Sequence, residues 1–240
     1  MIYLSHFEFP SSEVEYDFIF HQKHTCYDTY YPFQILSKHG FCRIDFEPVT
    51  ILYGGNGSGK TTALNVIAEK LGLQRDALYN RSNFFEDYIE QKYRHFQMRS
   101  LADYDQLKKV NSARRTTQSQ YIRKNLSDNI REHSNGESAF LYFAEKIQEN
   151  GLYLLDEPEN SLSPEKQQEL LRFLEDSARF FDCQFIIATH SPFLLSMPQA
   201  KIYDLDEEIV DVKKWYELEN VKAYYDFFKK HEQEFTEGKN

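Results

Sequence analysis

Cysteine is scarce in this chain. Cys26, Cys42 and Cys183 are the only three, far apart and without CxxC spacing. That argues against a disulfide framework and a cysteine zinc site, and it fits a reducing compartment. No run approaches the ~20 apolar residues needed to span a bilayer, so direct membrane insertion is not expected. The opening MIYLSHFEFP has neither a basic n-region nor an apolar h-region, so it does not read as a signal peptide, and a cytoplasmic location is expected. Repeats, low-complexity linkers and Pro/Ser-rich hinges are missing too, which favours one domain over residues 1–240. Positive charge is in deficit: the net charge is −10, a field that repels nucleic acid unless a local patch opposes it. One segment reverses the sign. Between Asp105 and Asp128 there is no acidic residue, but there are Lys108, Lys109, Arg114, Arg115, Arg123 and Lys124. A solvated helix or loop explains it most simply, and a DNA contact is the alternative.

Glycine is also sparse, at nine residues, yet four of them fall in the ten-residue stretch YGGNGSGKTT, Tyr53 to Thr62. The apolar run VTILY precedes it and KTTALNVIAEKL follows, with Ala63, Leu64, Ile67, Ala68 and Leu71 at helical spacing and Gly72 as a C-cap. Strand, glycine loop and helix are the context of a phosphate loop, and Gly54-x-x-x-x-Gly59-Lys60-Thr61 fits that pattern without a gap. Glycines at 54, 57 and 59 let backbone N–H groups converge on phosphate oxygens, with Asn56 and Ser58 between them. The helix start, including Thr62, adds its positive dipole end. Lys60 supplies a charge to the β- and γ-phosphates, and Thr61 a hydroxyl for Mg²⁺. The expected ligand is a nucleoside triphosphate.

Three later motifs extend this reading. LYLLDEPE puts Asp156 and Glu157 at the end of an apolar strand, Asp156 to hold Mg²⁺ and Glu157 to polarise an attacking water. FIIATHSP sets His190 past another apolar run, placed to donate to a transferring phosphoryl group. SNGES, Ser134 to Ser138, is a helix capping box that can also meet an anion. Elsewhere residues 1–53 read as strands and turns, 138–150 and 164–181 as helices with Ser163 and Pro164 opening the second, and DLDEE at 204–208 as a turn. The result is an α/β fold: a mostly parallel sheet with flanking helices, an N-terminal antiparallel β part and a helical insertion over about 73–137.

With GGNGSGKTT, SNGES, LYLLDEPENSLSP and IIATHSP in this order, the chain resembles the ABC-type P-loop ATPases, in their soluble SMC- and RecF-like branch. It is similar more closely to compact bacterial AAA-type ATPases over residues 31–205. The resemblance implies ATP and Mg²⁺ as cofactors and a homodimer that sandwiches two ATP head to tail. Ser134 and Gly136 would then touch the γ-phosphate bound by the other subunit, and Asn160, Ser161 and Leu162 would line the crossing. It also implies a glutamine ligand to the metal, for which Gln97 is the candidate. Ser163 departs from the aspartate that transporters carry there, and SNGES lacks the glutamine of transporter signatures. The expected function is an ATP-hydrolysing switch acting on an effector protein or DNA; the alternative is the ATP-binding subunit of a membrane transporter. A small-molecule kinase fits poorly, because Glu157 beside Asp156 suits water activation. A nuclease lacks room after residue 208.

Overall fold

Two five-residue apolar runs form the middle of the sheet. In the computed structural model, which describes residues 1–23, 29–73, 84–90 and 142–237, strands β3 (Val49–Tyr53) and β5 (Gln184–Ala188) are buried at every position. Before β3 lie β1 (His6–Glu8), α1 (Ser12–Phe20) and β2 (Arg43–Asp45). After it come α2 (Lys60–Lys70), α3 (Phe85–Glu90), β4 (Leu152–Asp156) and α4 (Pro164–Phe180). Beyond β5 are α5 (Pro192–Leu195), β6 (Lys201–Asp204), β7 (Asp211–Lys213), α6 (Glu219–Lys230) and α7 (Glu232–Glu237).

The main sheet runs β4-β5-β3-β6-β7. Its first four strands are parallel and β7 returns antiparallel, while β1 and β2 pair antiparallel on their own. The fold is therefore a mixed α/β fold with the mostly parallel sheet and the N-terminal antiparallel pair that the sequence implies. Because side chains alternate along a strand, β3 and β5 feed two cores. Leu52, Ile186 and Ala188 pack with α2, α3, β1 and β2 on one face. Val49, Ile51, Phe185 and Ile187 pack with α4, α5 and Leu218 on the other. Each fully buried Leu or Ile contributes about 1.5–3 kcal/mol. Much of the aromatic content fills the first core: Phe18 stacks on Phe33 at 4.6 Å, and Phe33 meets Tyr88 edge-on at 4.9 Å.

Several boundaries differ from the sequence reading. The span 1–53 contains α1 as well as strands. Strand β4 is half-buried rather than buried, because among the described residues only β5 flanks it. The helix expected over 138–150 is described only from residue 142 and ends at 146. Of the insertion at 73–137, α3 is its described helix. Helix α2 ends as expected, with Gly72 at φ 61° just past its C-cap.

Two buried polar side chains tie the N-terminal segment to the sheet. Gln184, at the start of β5, accepts from Tyr3 N at 2.7 Å and Leu4 N at 2.9 Å through Oε1, and its Nε2 donates to Leu4 O and Glu47 O. Glu15 in α1 accepts from Gln34 N and Ser37 Oγ, each at 2.6 Å. Burial pushes the Glu15 carboxyl above its ordinary value of 4.5, against the pull of those hydrogen bonds.

Replacing Gln184 with leucine removes the side-chain partner of three buried backbone groups, Tyr3 N, Leu4 N and Leu4 O, and urea unfolding should show a loss of about 3 kcal/mol. Glu15→Gln gives a pH-dependent result. A carboxyl raised in the folded state favours folding only while protonated, so its contribution is present below pH 4.5 and lost as pH rises through the folded value. The Gln variant should therefore be more stable than the parent near neutrality, with the gap closing on acidification. A gap that ignores pH would show that this carboxyl does not titrate on unfolding.

Candidate active site

Strand order assembles the site. With β5 between β4 and β3, the C-terminal ends of three strands meet: Asp156 pairs with Ala188, and Ala188 with Leu52. The loop 54–59, the pair Asp156–Glu157 and His190 are therefore neighbours, at the end of a parallel sheet where ligands bind.

Within the loop, the glycines at two positions are obligatory. A Cβ on Gly54 would lie 2.5 Å from Ser58 Oγ, and Gly59 combines φ 97° with a Cβ position 2.9 Å from Ile35 and Leu36. Gly59 serves as the N-cap of α2 and offers no side-chain acceptor, whereas Ser11, Ser163 and Ser191 cap α1, α4 and α5. The first turn of α2 therefore has no side-chain acceptor at its cap. Ser58 Oγ is buried without a hydrogen-bond partner. Asn56 and Gly57 are exposed at the tip of the loop, and Thr62 is buried in α2.

Lys60 is buried, and its ammonium donates to Gly54 O at 2.8 Å and Gly55 O at 2.9 Å, with Glu157 Oε1 at 3.9 Å. Thr61 Oγ1 donates to Asp156 Oδ1 at 3.1 Å, so the two oxygens expected to serve a metal are already adjacent. Burial raises the Asp156 carboxyl above its ordinary value. The Thr61 hydrogen bond and the Lys60 charge oppose this, while the charges of Glu157 and Glu159 reinforce it. Such a crowd of carboxylates suits a divalent cation. Mg²⁺ takes one or two protein oxygens and completes its shell with phosphate and water, which Thr61 and Asp156 fit.

Glu157 has φ 45°, a left-handed conformation that turns its side chain away from the line of β4. Its Oε1 lies 3.6 Å from His190 Nδ1, and its Oε2 accepts from Asn160 Nδ2 at 3.2 Å. Of the predicted crossing residues, Ser161 has φ 69° and Leu162 is buried. Gln97, Ser134, Gly136 and the basic segment 108–124 lie outside the described residues.

Two residues at the site carry roles the sequence reading did not give them. Glu159 is buried, and its Oε1 accepts from Thr189 Oγ1 at 2.5 Å, His190 N at 3.1 Å and Ser191 N at 3.2 Å. It fixes the backbone that bears His190, which Asn220 holds from the other side by donating to His190 O at 2.9 Å. The third acid of DEPEN was the available signal. Asp206 sits in the turn expected at 204–208, and both its carboxylate oxygens accept from Gly55 N at 2.8 Å. Asp204 accepts from Asp206 N, and Lys213 pairs with Asp204 and Glu207, holding the turn against the loop.

The family described as "AAA domain, putative AbiEii toxin, Type IV TA system" matches residues 69–196, more than half of the chain. No curated protein matches. Among solved structures the chain is similar to "An inward-facing conformation of a putative metal-chelate type ABC transporter", at 19% identity and TM-score 0.43 over 74% of this chain and 76% of that one. It is also similar to the "SMC head domain from Thermotoga maritima", at 15% identity and TM-score 0.41 over 72% of this chain and 92% of that one. The matched family span contains Asp156, Glu157 and His190 and begins just after the glycine loop. The chain therefore belongs to this family of AAA domains.

Proposed function

We propose that the chain, as one domain over residues 1–240, binds Mg-ATP and hydrolyses it as a molecular switch. Two copies close head to tail around two nucleotides and pass the cycle to a partner protein or nucleic acid. The observation that carries this reading is the contact of Thr61 with Asp156 beside Lys60, Glu157 and His190, five groups from three strand ends. Lys60 exchanges its carbonyl partners at Gly54 and Gly55 for β- and γ-phosphate oxygens, and the loop and α2 N–H groups receive the rest of the charge. Thr61 and Asp156 hold Mg²⁺, with Gln97 as a further ligand. A metal held there would supply positive charge to offset the negative charge that builds up on the phosphate oxygens.

Glu157 takes the proton of the attacking water. Its left-handed backbone and its place between Lys60 and His190 aim it where that water stands. His190 donates to the γ-phosphoryl group, on a backbone fixed by Glu159 and Asn220. Ser134 and Gly136 of the second copy complete the far side of each nucleotide. The family's description as a toxin of a type IV system supports an effector role over transport. No helix among the described residues is long and apolar enough to cross a membrane.

Glu157→Gln should keep ATP binding and lower turnover by about 10²–10⁴-fold, measured by phosphate release and by nucleotide titration. Unchanged turnover would remove Glu157 as the base. The shared site is read by co-expressing Lys60→Ala with Gly136→Asp. Each variant alone should be inactive, and mixed dimers should regain one intact site. A mixture as inactive as its parents would rule out the head-to-tail arrangement.

A further inference from the structure

The apolar stripe of α6 is only one-third covered. Leu218 and Val221 begin it and are buried against the second core. The same face continues at helical spacing through Tyr224, Tyr225 and Phe228 and then to Phe235 of α7, whose ring lies 6.1 Å from that of Phe228. These four are 51–64% exposed, and Phe227 beside them is 57% exposed. The opposite face carries Glu219, Lys222, Asp226 and Lys230. An amphipathic helix spends its apolar stripe on a core, and this one runs off the end of its own.

We infer that the open stripe of α6 and α7 is a self-association surface, which pairs two copies of this chain with no nucleotide present. Area and charge both point to a second copy. Five half-exposed aromatic rings, with Trp215 and Tyr216 exposed just before them, offer roughly 600–700 Å², close to the ~800 Å² per partner of a stable interface. Aromatic residues are also the side chains enriched in interface cores. The charges are self-complementary along the helix. Glu217 stands just before its start, and Lys229 near its end, where its ammonium lies 5.5 Å from the centre of the Tyr225 ring. A two-fold axis near Tyr225 crosses the helices antiparallel and lays each acidic start against the basic end of the other copy. Asp226 and His231, with Glu232 and Glu234 beyond it, lie along the flanks and remain solvated in that pairing.

This surface is separate from the nucleotide sandwich, which closes through the strand ends. The two do meet at one bond, because Asn220 in the first turn of α6 donates to the carbonyl of His190. A pair joined through α6 therefore holds its two ATP sites on a common support.

The test is the molar mass of the full chain at tens of micromolar, in EDTA and without nucleotide, by sedimentation equilibrium. The expected mass is twice the 28.6 kDa of the chain. The double variant Tyr225→Glu, Phe228→Glu alters only exposed positions of the single copy, so it should keep the parent's circular dichroism and melting cooperativity. Its mass should fall to 28.6 kDa. A nucleotide-free parent of single mass overturns the proposal even if Mg-ATP later doubles that mass, since the stripe then has another occupant while the sandwich stands. A folded double variant that keeps the doubled mass overturns it too, because the interface would lie elsewhere. Inactive mixed dimers of Lys60 and Gly136 variants, with the nucleotide-free mass still doubled, would leave this surface intact and remove the sandwich alone.

Discussion

The ladder that β5 makes with β3 on one side and β4 on the other fixes the height at which three strands end. Parallel strands of equal length, in register from Leu152↔Gln184 to Asp156↔Ala188 and from Val49↔Phe185 to Leu52↔Ala188, deliver their next residues to one level. The glycine loop, the acidic pair and the histidine follow immediately. A shift of one residue in either ladder would turn Asp156 or Ala188 to the wrong face. The two cores hold that register by burying alternate side chains of β3 and β5 on opposite sides. The chemistry of the site depends on this packing before it depends on any single functional group.

Polar side chains then do the fine positioning. Gln184 fastens the base of β5 to the N-terminal segment, far from the strand ends. Glu159 fastens the loop after β5, and Asp206 the loop after β3. Each reaches across from a different element, so the site is braced from three directions. A chain with a large negative charge thereby gathers carboxylates around a buried lysine and the donors at the start of α2. Burial is the main cause of the raised Asp156 carboxyl, and the charges of Glu157 and Glu159 add to it.

Much of this was legible in the sequence because glycine spacing and apolar runs report backbone shape directly. VTILY, LYLLD and QFIIA are strands, KTTALNVIAEK and the segment opened by Ser163–Pro164 are helices, and the expected site residues that are described stand together. Helix α1 was not legible. Val14, Tyr16, Phe18 and Phe20 alternate as a strand would, yet the buried set is Glu15 with Phe18 and Ile19 packed behind it, the spacing of a helix. The inward Glu15, whose Oε2 accepts from Gln34 N and Ser37 Oγ, makes that spacing workable. Strands β6 and β7 were missed because they are short and one is nearly all polar, so pairing defines them rather than composition, β6 on β3 and β7 on β6. Asp206 was hidden because its partner is a backbone amide 151 residues away.

The peptide of His190 is held at both ends, its N–H by Glu159 and its carbonyl by Asn220. Its imidazole, half exposed, is the part left to turn. Loop motions take nanoseconds to microseconds, while an exposed side chain changes rotamer in picoseconds to nanoseconds. In the proposed role His190 would act as a rotor rather than a gate, its ring turning between the Glu157 and Glu159 carboxylates at 3.6 and 3.7 Å.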